Sequence, residues 1–408
     1  MGRSWQVELD RLDGRTARIA FLVSAWLMWV FIGAWAITPA SVLPVVMEAF
    51  GVRETAAAYV ITAPQIAATI TGIPIGMYLD RVDQRRSVLL ATLLLVVVGL
   101  GGSLAASAGS YWALLGTRVV GGLGLVTLWT AQTAMITRAF QTSRQATAVG
   151  VFVTGYPAGY AFGQFSGPLI ASVLDWTATF GLYTVVGFLF ALGFSLIGRR
   201  VPAASGSGDS PGLGQLGAVL RSRAVWGVAL LSLLSYMLYM IFNSWMPTYI
   251  SRTFDVGLAQ SGLYTALFPA IGILARPGGG LLTERVFGGR SRPVIGISFV
   301  VAGITAAAMA LGGTIIALVA GLVAAGFFIQ LQFGILYTLV QSYVPTNVGG
   351  TAVAVISAIG WLGTFAGPPI VGALIEMRGG YGVVFGAAVA LAVGGTATVL
   401  AISEPDSV

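Results

Sequence analysis

Two arginines lie inside apolar stretches of the sequence, where a positive charge needs a partner. Arg276 lies in ILARPGGGLLTER, and Arg118 lies in LLGTRVVGGLG. The first acidic residue after Arg276 is Glu284, more than two helical turns away. A guanidinium presents paired donors that fit planar anions, so Arg276 can bind an anionic ligand. The alternative is that such an arginine bonds backbone carbonyls of neighbouring helices and only holds those helices together.

Composition narrows the class of protein. Of the 408 residues, 57% are hydrophobic and 9% are charged, whereas soluble domains have about 45–50% and about 25%. The sequence contains neither histidine nor cysteine, which excludes thiol redox chemistry, Cys/His metal sites and imidazole catalysis. We therefore predict a membrane protein that is not an enzyme and has no metal and no cofactor. The net charge of +7 comes from scattered arginines, so we expect no nucleic-acid partner.

Twelve apolar runs are each long enough to cross about 30 Å of hydrocarbon. A Gly/Ser/Pro-rich segment at 198–223 separates the first six runs from the last six. This pattern predicts an all-α membrane protein with an N-terminal six-helix bundle at 1–199, a cytoplasmic linker at 200–222 and a C-terminal six-helix bundle at 223–408. The predicted spans are 18–44, 54–79, 86–107, 110–138, 142–173, 176–199, 223–250, 258–284, 292–311, 314–344, 347–376 and 380–402.

The arginines also predict the orientation. Of the 21 basic residues, sixteen fall in the termini and in the loops on one side of the predicted membrane, and three fall on the other side. Cytoplasmic loops carry such an excess of basic residues, so we predict a plasma-membrane protein with both termini in the cytoplasm. Arg118 and Arg276 are the two that remain, and both fall within spans. The acidic residues all fall in tails, loops or span ends.

The two halves of the sequence resemble each other at a nearly constant offset. The segment GMYLDRV at 76–82 matches GLLTERV at 280–286, which is 204 residues later. Similarly, SVLP at 41–44 matches SWMP at 244–247, an offset of 203. An offset that spans six helices indicates a duplicated six-helix unit in parallel orientation.

The stretch GMYLDRVDQRR at 76–86 resembles the signature of the major facilitator superfamily, and LLGTRVVGGLG at 114–124 resembles its fourth-helix arginine motif. This resemblance implies a substrate site near the midplane between the halves and a cytoplasmic latch that breaks and re-forms as they rock. One departure is Asp83, where the family usually has glycine. Solvated charges that only anchor the topology are the alternative to a latch. The predicted latch residues are Gly76, Asp80, Arg81, Arg85, Arg86, Gly280, Glu284 and Arg285.

The stretch ARPGGGLLTERVFGGR is similar to the eighth helix of nitrate/nitrite porters, and oxalate:formate antiporters and monocarboxylate transporters also use an arginine there. The resemblance implies that Arg276 is the anion ligand. The nitrate family has a second arginine at the equivalent place in helix two, where this chain has Gly72. That departure favours a larger anion, such as a carboxylate, over nitrate. For Arg118, the fourth-helix motif favours a structural role.

Polar and aromatic residues at helical spacing form candidate lining faces on the second, seventh and tenth spans. Polar positions at membrane depth avoid lipid, so they face either a water-filled path or another helix. We predict that together with Arg276 they line the substrate site. The predicted set is Gln65, Thr69, Tyr236, Tyr239, Asn243, Gln330, Phe333, Tyr337 and Trp361.

These features predict a secondary transporter that moves a small anion by rocker-switch alternating access. An organic carboxylate is favoured, and an inorganic anion such as nitrate or nitrite is the alternative substrate. No carboxylate lies at depth to carry a proton, so anion exchange or uniport is favoured. We expect a monomer whose partners are the anion and the bilayer. The competing function is a drug or lipophile exporter of the same fold in which Arg276 is structural.

Overall fold

The computed structural model describes residues 15–79, 81–201, 217, 219–345 and 348–402, and within them the chain is helical. The α-helices are α1 Arg15–Ser41, α2 Leu43–Phe50, α3 Glu54–Leu79, α4 Gln84–Ser107, α5 Tyr111–Ala139, α6 Thr142–Val153, α7 Gly155–Val173, α8 Ala178–Ile197, α9 Arg223–Phe254, α10 Leu258–Ala270, α11 Gly272–Arg285, α12 Ser291–Ala310, α13 Ile315–Leu331, α14 Phe333–Ser342, α15 Gly349–Arg378 and α16 Val383–Ala401. A 3-10 turn, Gly198–Arg200, follows α8.

The helices combine into twelve long segments, which correspond to the twelve predicted spans. Four of these segments are pairs of helices: α1 with α2, α6 with α7, α10 with α11, and α13 with α14. Within the described residues, ten segments are long and apolar enough to cross a membrane by length and composition. The other two are α3 and the α6–α7 pair. Both pack against helices of the other half of the chain, so they expose less surface to lipid and need less apolar sequence.

The parallel repeat is visible in how equivalent helices pack. In the first half α1 packs on α7, and in the second half α9 packs on α15. A Cβ on Gly159 would lie 2.6 Å from the carbonyl oxygen of Trp29, and a Cβ on Gly363 would lie 2.4 Å from that of Leu233. Both the glycines and the residues they contact are 204 apart in sequence. Each half therefore uses one glycine at the same place to bring two backbones together.

A second glycine contact recurs at the same offset. A Cβ on Gly122 of α5 would lie 2.0 Å from the carbonyl oxygen of Pro64 on α3. A Cβ on Gly326 of α13 would lie 2.5 Å from the carbonyl oxygen of Phe268 on α10. These two pairs are also 204 residues apart. The duplication read from the sequence thus extends to the close helix contacts that hold each half together.

The two halves meet along two seams. We call residues 15–201 the N-terminal half and residues 219–402 the C-terminal half. One seam joins α3 to α15, and the other joins α7 to α10. We call the end of the molecule where α3 begins and α15 ends the Glu376 end, and the opposite end, where α11 ends, the Glu284 end.

The segment that contains Arg276 is interrupted before the arginine. The break between α10 and α11 lies at Ile271. Pro277 lies inside the second helix. Pro269 lies in the last turn of α10, where it removes the backbone hydrogen bond to the residue four positions earlier.

Candidate functional site

Arg276 lies on α11 near the middle of the molecule, eight residues before Glu284 and about 12 Å from it along a helix axis. Its side chain is half-buried. One hydrogen bond to it is found in the described part of the chain, from its Nε to Oε1 of Gln330 at 3.4 Å. The guanidinium carbon lies 5.1 Å from the ring centre of Phe333 and 5.8 Å from that of Tyr239. The guanidinium also interacts with the Tyr239 hydroxyl, and the remaining N–H donors of its terminal nitrogens are available to a ligand.

The partner of Arg276 is held firmly in place. Nε2 of Gln330 donates to the carbonyl oxygens of Phe268 at 3.0 Å and Gly326 at 3.3 Å, and the residue is fully buried. A Cβ on Gly272 would lie 1.9 Å from Oε1 of Gln330. Only a glycine at position 272 leaves room for this amide. Gln330 thus turns an oxygen toward Arg276 and fixes the direction of the guanidinium.

Tyrosine hydroxyls surround the arginine in pairs. The hydroxyl of Tyr236 lies 3.0 Å from that of Tyr337, and the hydroxyl of Tyr156 lies 2.7 Å from that of Tyr160. The ring of Tyr160 stacks on that of Tyr239 with centres 5.9 Å apart, so the aromatic contact runs from the N-terminal half into the C-terminal half. These pairs can donate to an anion if one hydroxyl of a pair turns away from its partner.

Several buried polar atoms near the arginine lack a hydrogen-bond partner in the described residues. They include the hydroxyl of Tyr239, both amide atoms of Gln65, and Oδ1 of Asn243. Leaving a buried polar group unpaired costs about 1–3 kcal/mol. Of these atoms, the Tyr239 hydroxyl and Nε2 of Gln65 are donors that an anionic ligand could accept from, whereas Oε1 of Gln65 and Oδ1 of Asn243 are acceptors.

The structure divides the predicted lining residues into two groups. One group is half-buried and comprises Arg276, Thr69, Tyr236, Tyr337 and Trp361. The other group is buried and comprises Gln65, Tyr239, Asn243, Gln330 and Phe333. The hydroxyl of Thr69 donates to the carbonyl oxygen of Gln65 at 2.8 Å. Likewise, the Asn243 amide donates to that of Tyr239 at 2.8 Å.

Sequence reasoning predicted Gln65 and Thr69 in the N-terminal half but missed its aromatic residues, Tyr156 and Trp129. Tyr156 lies between Trp361, at 6.4 Å between ring centres, and Trp129, also at 6.4 Å. It is half-buried, as Trp129 is. The sequence feature that could have indicated Tyr156 is its spacing of four residues from Tyr160 on the glycine-rich fifth span. That span only loosely matches a known motif, so the spacing did not stand out.

Arg118 has a different environment. It is fully buried, and its guanidinium donates to the carbonyl oxygens of Val60 at 2.9 Å, Trp35 at 2.8 Å and Ala36 at 2.6 Å. A fourth, longer bond of 3.5 Å reaches the carbonyl oxygen of Ile61. The guanidinium carbon also lies 4.2 Å from the ring centre of Trp35. Because its donors are occupied by backbone oxygens of α1 and α3, this arginine has none to offer a ligand.

Polar contacts join the two halves at the Glu376 end. Oε1 of Glu376 accepts a hydrogen bond of 2.7 Å from the backbone amide of Thr55, in the first turn of α3. The guanidinium of Arg53 donates to the carbonyl oxygen of Glu376 at 3.3 Å. Thus a carboxylate of the C-terminal half caps a helix of the N-terminal half.

A second contact at this end involves Tyr381. Its hydroxyl donates to Oε1 of Glu54 at 3.0 Å. Burial, reinforced by the Glu54 carboxylate, raises the pKa of Tyr381 well above its usual value, so its hydroxyl stays protonated and remains a donor. Arg252 lies over the same ring at 5.2 Å. The bond of Tyr381 to Glu54 must break for the halves to separate here, whereas the Arg252 contact lies within the C-terminal half.

In each seam, a glycine brings the two helices into backbone contact toward the Glu376 end. A Cβ on Gly372 would lie 3.0 Å from the Cα of Thr55, and a Cβ on Gly262 would lie 2.3 Å from the carbonyl oxygen of Gln164. Nε2 of Gln164 also donates to the carbonyl oxygen of Asn243 at 2.7 Å. The passage is therefore closed on this side of Arg276.

The Glu284 end is less tightly packed. A Cβ on Gly76 or on Gly280 would meet no atom within 4 Å. Glu284 and Arg285 are exposed. With the Glu376 end closed, the half-buried residues around Arg276 are reached from the Glu284 end.

The predicted latch residues on the α3–α4 loop are only partly described. Asp80 lies outside the described residues, and Arg81 is exposed. Arg85 and Arg86 lie 3.6 and 3.5 Å from Asp83, so their ion pairs stay within one loop. Asp83 caps α4 by accepting a 3.0 Å bond from the Arg85 amide. The residue that departs from the family signature therefore starts the next helix.

Comparison with known proteins gives consistent results. A family model described as Major Facilitator Superfamily matches residues 23–368. A "Nitrite extrusion protein" of Bacillus subtilis (strain 168) is 24% identical over 371 residues, covering 89% of this chain and 87% of the relative. A "Probable nitrate/nitrite transporter NarK2" of Mycobacterium tuberculosis (strain ATCC 25618 / H37Rv) is 25% identical over 338 residues, covering 78% and 80%.

A solved structure gives the same fold. It is a bacterial homologue of the human lysosomal transporter Spinster in an inward-facing, unoccupied conformation, and it aligns with a TM-score of 0.74 at 18% identity. The alignment covers 95% of each chain. This similarity shows a shared arrangement of helices and says nothing of the ligand.

Proposed function

We propose that this chain, which belongs to the Major Facilitator Superfamily, moves a small monovalent anion across the membrane and binds it through Arg276. The chain is thus a multi-pass membrane transporter and not an enzyme. The observation that carries the proposal is the single 3.4 Å hydrogen bond of Arg276. A half-buried guanidinium whose donors are mostly free can bind an anion.

Energetics support a ligand rather than a structural role for Arg276. Placing an arginine at the centre of a membrane helix costs about 2.5–3.5 kcal/mol on insertion scales. The charge-assisted hydrogen bond to Gln330 is long, at 3.4 Å, and together with two cation–π contacts it returns a similar amount, about 2–4 kcal/mol. A bidentate anion would add two charge-assisted hydrogen bonds, each worth about 1.5–3 kcal/mol. Binding would therefore add a stabilisation that the protein's own contacts with Arg276 do not provide.

The substrate that we favour is an organic carboxylate. A Cβ on Gly72, the equivalent of Arg276 in the N-terminal half, would meet only the side chain of Val126, at 3.8 Å. The site thus has one guanidinium and open space where a second one could lie. One positive charge matches a monovalent anion, and the open space suits one larger than nitrate. The second candidate is nitrate or nitrite, which the names of the relatives favour.

The mechanism that we propose is rocker-switch alternating access. The excess of arginines assigns the Glu284 end and both termini to the cytoplasm. The closed Glu376 end then faces outward, and Arg276 is open to the cytoplasm. Rocking the halves would break the contacts of Glu376 and Tyr381 and bring the predicted latch residues of both halves together. Each half, 1–199 and 223–408, would move as one body joined by the linker at 200–222.

The competing function is export of a drug or lipophile with Arg276 as a structural residue. In that case, we expect Arg276 to resemble Arg118, with its donors taken by fixed carbonyl oxygens. Its one bond to the side chain of Gln330 argues against this reading. The aromatic rings around Arg276 are compatible with either function, so a transport measurement has to decide.

The test is anion uptake into liposomes that contain the purified protein. We expect wild-type protein to take up a labelled monovalent anion and Arg276→Ala to lose at least about 99% of this activity, since it loses two charge-assisted bonds. Arg276→Lys should retain a fraction, because it keeps the charge and loses the paired donors. The exposed Arg144 provides the control Arg144→Ala. Uptake by Arg276→Ala at the wild-type rate would overturn the proposal.

A further inference from the structure

Opposite Arg276, the N-terminal half presents a cluster of aromatic rings. We call Trp29, Trp129, Phe152 and Tyr156 the aromatic wall. The ring centre of Trp129 lies 5.3 Å from that of Trp29 and 5.4 Å from that of Phe152. Trp29 and Phe152 are buried behind it, whereas Trp129 and Tyr156 are half-buried. The wall therefore has a fixed back and an accessible front.

The aromatic wall is continuous with the arginine. Tyr156 stacks near Tyr160 with ring centres 4.6 Å apart, and Tyr160 stacks on Tyr239, over whose ring Arg276 lies. Tyr160 and Tyr239 are buried behind the accessible residues. Tyr156 is close enough to Arg276 for the two to interact electrostatically, and both are half-buried, so a ligand held by Arg276 can extend past Tyr156 to Trp129. The contacts connect the arginine of the C-terminal half to uncharged rings of the N-terminal half.

The wall offers apolar contact and little hydrogen bonding. Nε1 of Trp29 is occupied by the side chain of Gln132 at 2.7 Å. The N-terminal half also holds a cation, Arg118, but backbone oxygens already occupy its donors. Ring faces carry negative charge density, so a bare inorganic anion gains nothing from contact with them. An apolar group gains free energy in proportion to the area that it buries there.

We propose that the aromatic wall is the subsite for the apolar body of an organic monocarboxylate whose carboxylate binds Arg276. This inference rests on the proposed function, because it needs Arg276 as the anion ligand. It adds that the two halves divide the substrate between them. The C-terminal half binds the charge, and the N-terminal half selects the body through Trp129 and Tyr156.

The experiment is calorimetric titration of the purified full-length chain with nitrate, acetate, butyrate and hexanoate. We expect the dissociation constant to fall by about three- to fourfold for each added CH₂ group. Hexanoate should therefore bind about a hundredfold more tightly than acetate, and also more tightly than nitrate. Equal binding of acetate and hexanoate, or tighter binding of nitrate, would overturn this proposal and leave the proposed function intact.

Variants of Trp129 test whether the aromatic wall causes the dependence of affinity on the length of the carboxylate. Trp129→Leu should reduce the ratio of acetate to hexanoate dissociation constants to about ten or less, because the ring surface is lost. Trp129→Phe, which keeps one ring, should give an intermediate ratio and serves if the leucine variant folds poorly. The control is Trp112→Leu, because Trp112 lies on the same helix and is 78% exposed. An unchanged ratio in both Trp129 variants would refute the assignment, and absence of binding by every anion would refute the proposed function too.

Discussion

Arg118 and Arg276 are the same residue type at membrane depth, in the two related halves of one chain, and their environments are opposite. Arg118 is fully buried and donates to four backbone carbonyl oxygens of α1 and α3. Arg276 is half-buried, has one long bond to a side chain, and lies over two aromatic rings. Backbone oxygens occupy the donors of the Arg118 guanidinium, whereas most donors of the Arg276 guanidinium are available to a ligand.

The difference shows that the charge of an arginine in a membrane does not by itself indicate function. What matters is whether fixed oxygens occupy its donors. The hydrogen bonds of Arg118 to α1 and α3 offset the cost of burying its charge, so its removal should destabilise the structure. Arg276 is oriented by Gln330 and otherwise unpaired, so its removal should damage binding.

The largest expected effect is that of Arg118→Ala on stability. It leaves buried carbonyl oxygens of α1 and α3 without donors, at about 1–3 kcal/mol each. We expect a loss of at least about 3 kcal/mol, measured as a large drop in the apparent unfolding temperature in detergent or as failure to accumulate. Arg118→Lys should also fail, because an ammonium cannot span the same oxygens. A stable Arg118→Ala protein would break the comparison.

A smaller effect is expected when the partner of Arg276 is displaced. Gly272→Ala would place a Cβ 1.9 Å from Oε1 of Gln330 and push the amide away from the guanidinium. We expect anion affinity to fall about tenfold as the guanidinium loses its orientation, measured by titration. Gly280→Ala on the same helix is the matched control, since a Cβ there meets open space. Equal affinities of the two variants would show that Gln330 does not position Arg276.

The comparison also predicts that access to Arg276, unlike access to Arg118, depends on a gate. Glu376→Gln replaces a charge-assisted bond to the Thr55 amide with a neutral one, which weakens it by about 1 kcal/mol. The wild type lacks cysteine, so a single Thr69→Cys reports exposure of the site. We expect an impermeant maleimide applied at the Glu376 end to react about fivefold faster when Glu376→Gln is present.

The control for this gate is Glu48→Gln. Glu48 is exposed on α2 near the same end, so its change removes a charge without removing a contact between halves. A labelling rate that is the same in both backgrounds would show that Glu376 does not hold the gate closed.

The smallest expected effect is that of Arg276→Ala on stability. The variant loses one long hydrogen bond and two cation–π contacts but also removes the cost of a partly buried charge, so the free energy of unfolding should change by less than about 1 kcal/mol. The apparent unfolding temperature in detergent, compared with that of Arg118→Ala, measures this. A loss as large as that of Arg118→Ala would mean that Arg276 is structural too.

Much of the fold was predictable from the sequence. Hydropathy predicted the helical segments, and the offset of 204 residues predicted the parallel repeat, which the contacts of Gly159 and Gly363 display in three dimensions. The break at Ile271 was not predicted, because Pro277 is the more obvious disruptor and Pro269 acts from inside the preceding helix. Local sequence shows that a helix is weak but not which turn opens.

Part of the candidate site was also predictable. A lone arginine without an acidic neighbour indicated Arg276, and helical spacing indicated Gln330, Tyr236 and Tyr337, although their roles stay predictions. The contribution of Tyr156 and Trp129 was not visible, because it depends on how the two halves approach each other. The same holds for Glu376, whose contact with Thr55 joins residues more than 300 positions apart.

The most direct test of the account is calorimetric titration of acetate and nitrate into purified wild-type protein and Arg276→Ala. If Arg276 is the anion ligand, the wild type binds one of these anions with a saturable isotherm, and Arg276→Ala binds it at least about a hundredfold more weakly. If Arg276→Ala binds both anions as tightly as the wild type does, Arg276 is not the ligand, and its contrast with Arg118 has no functional meaning.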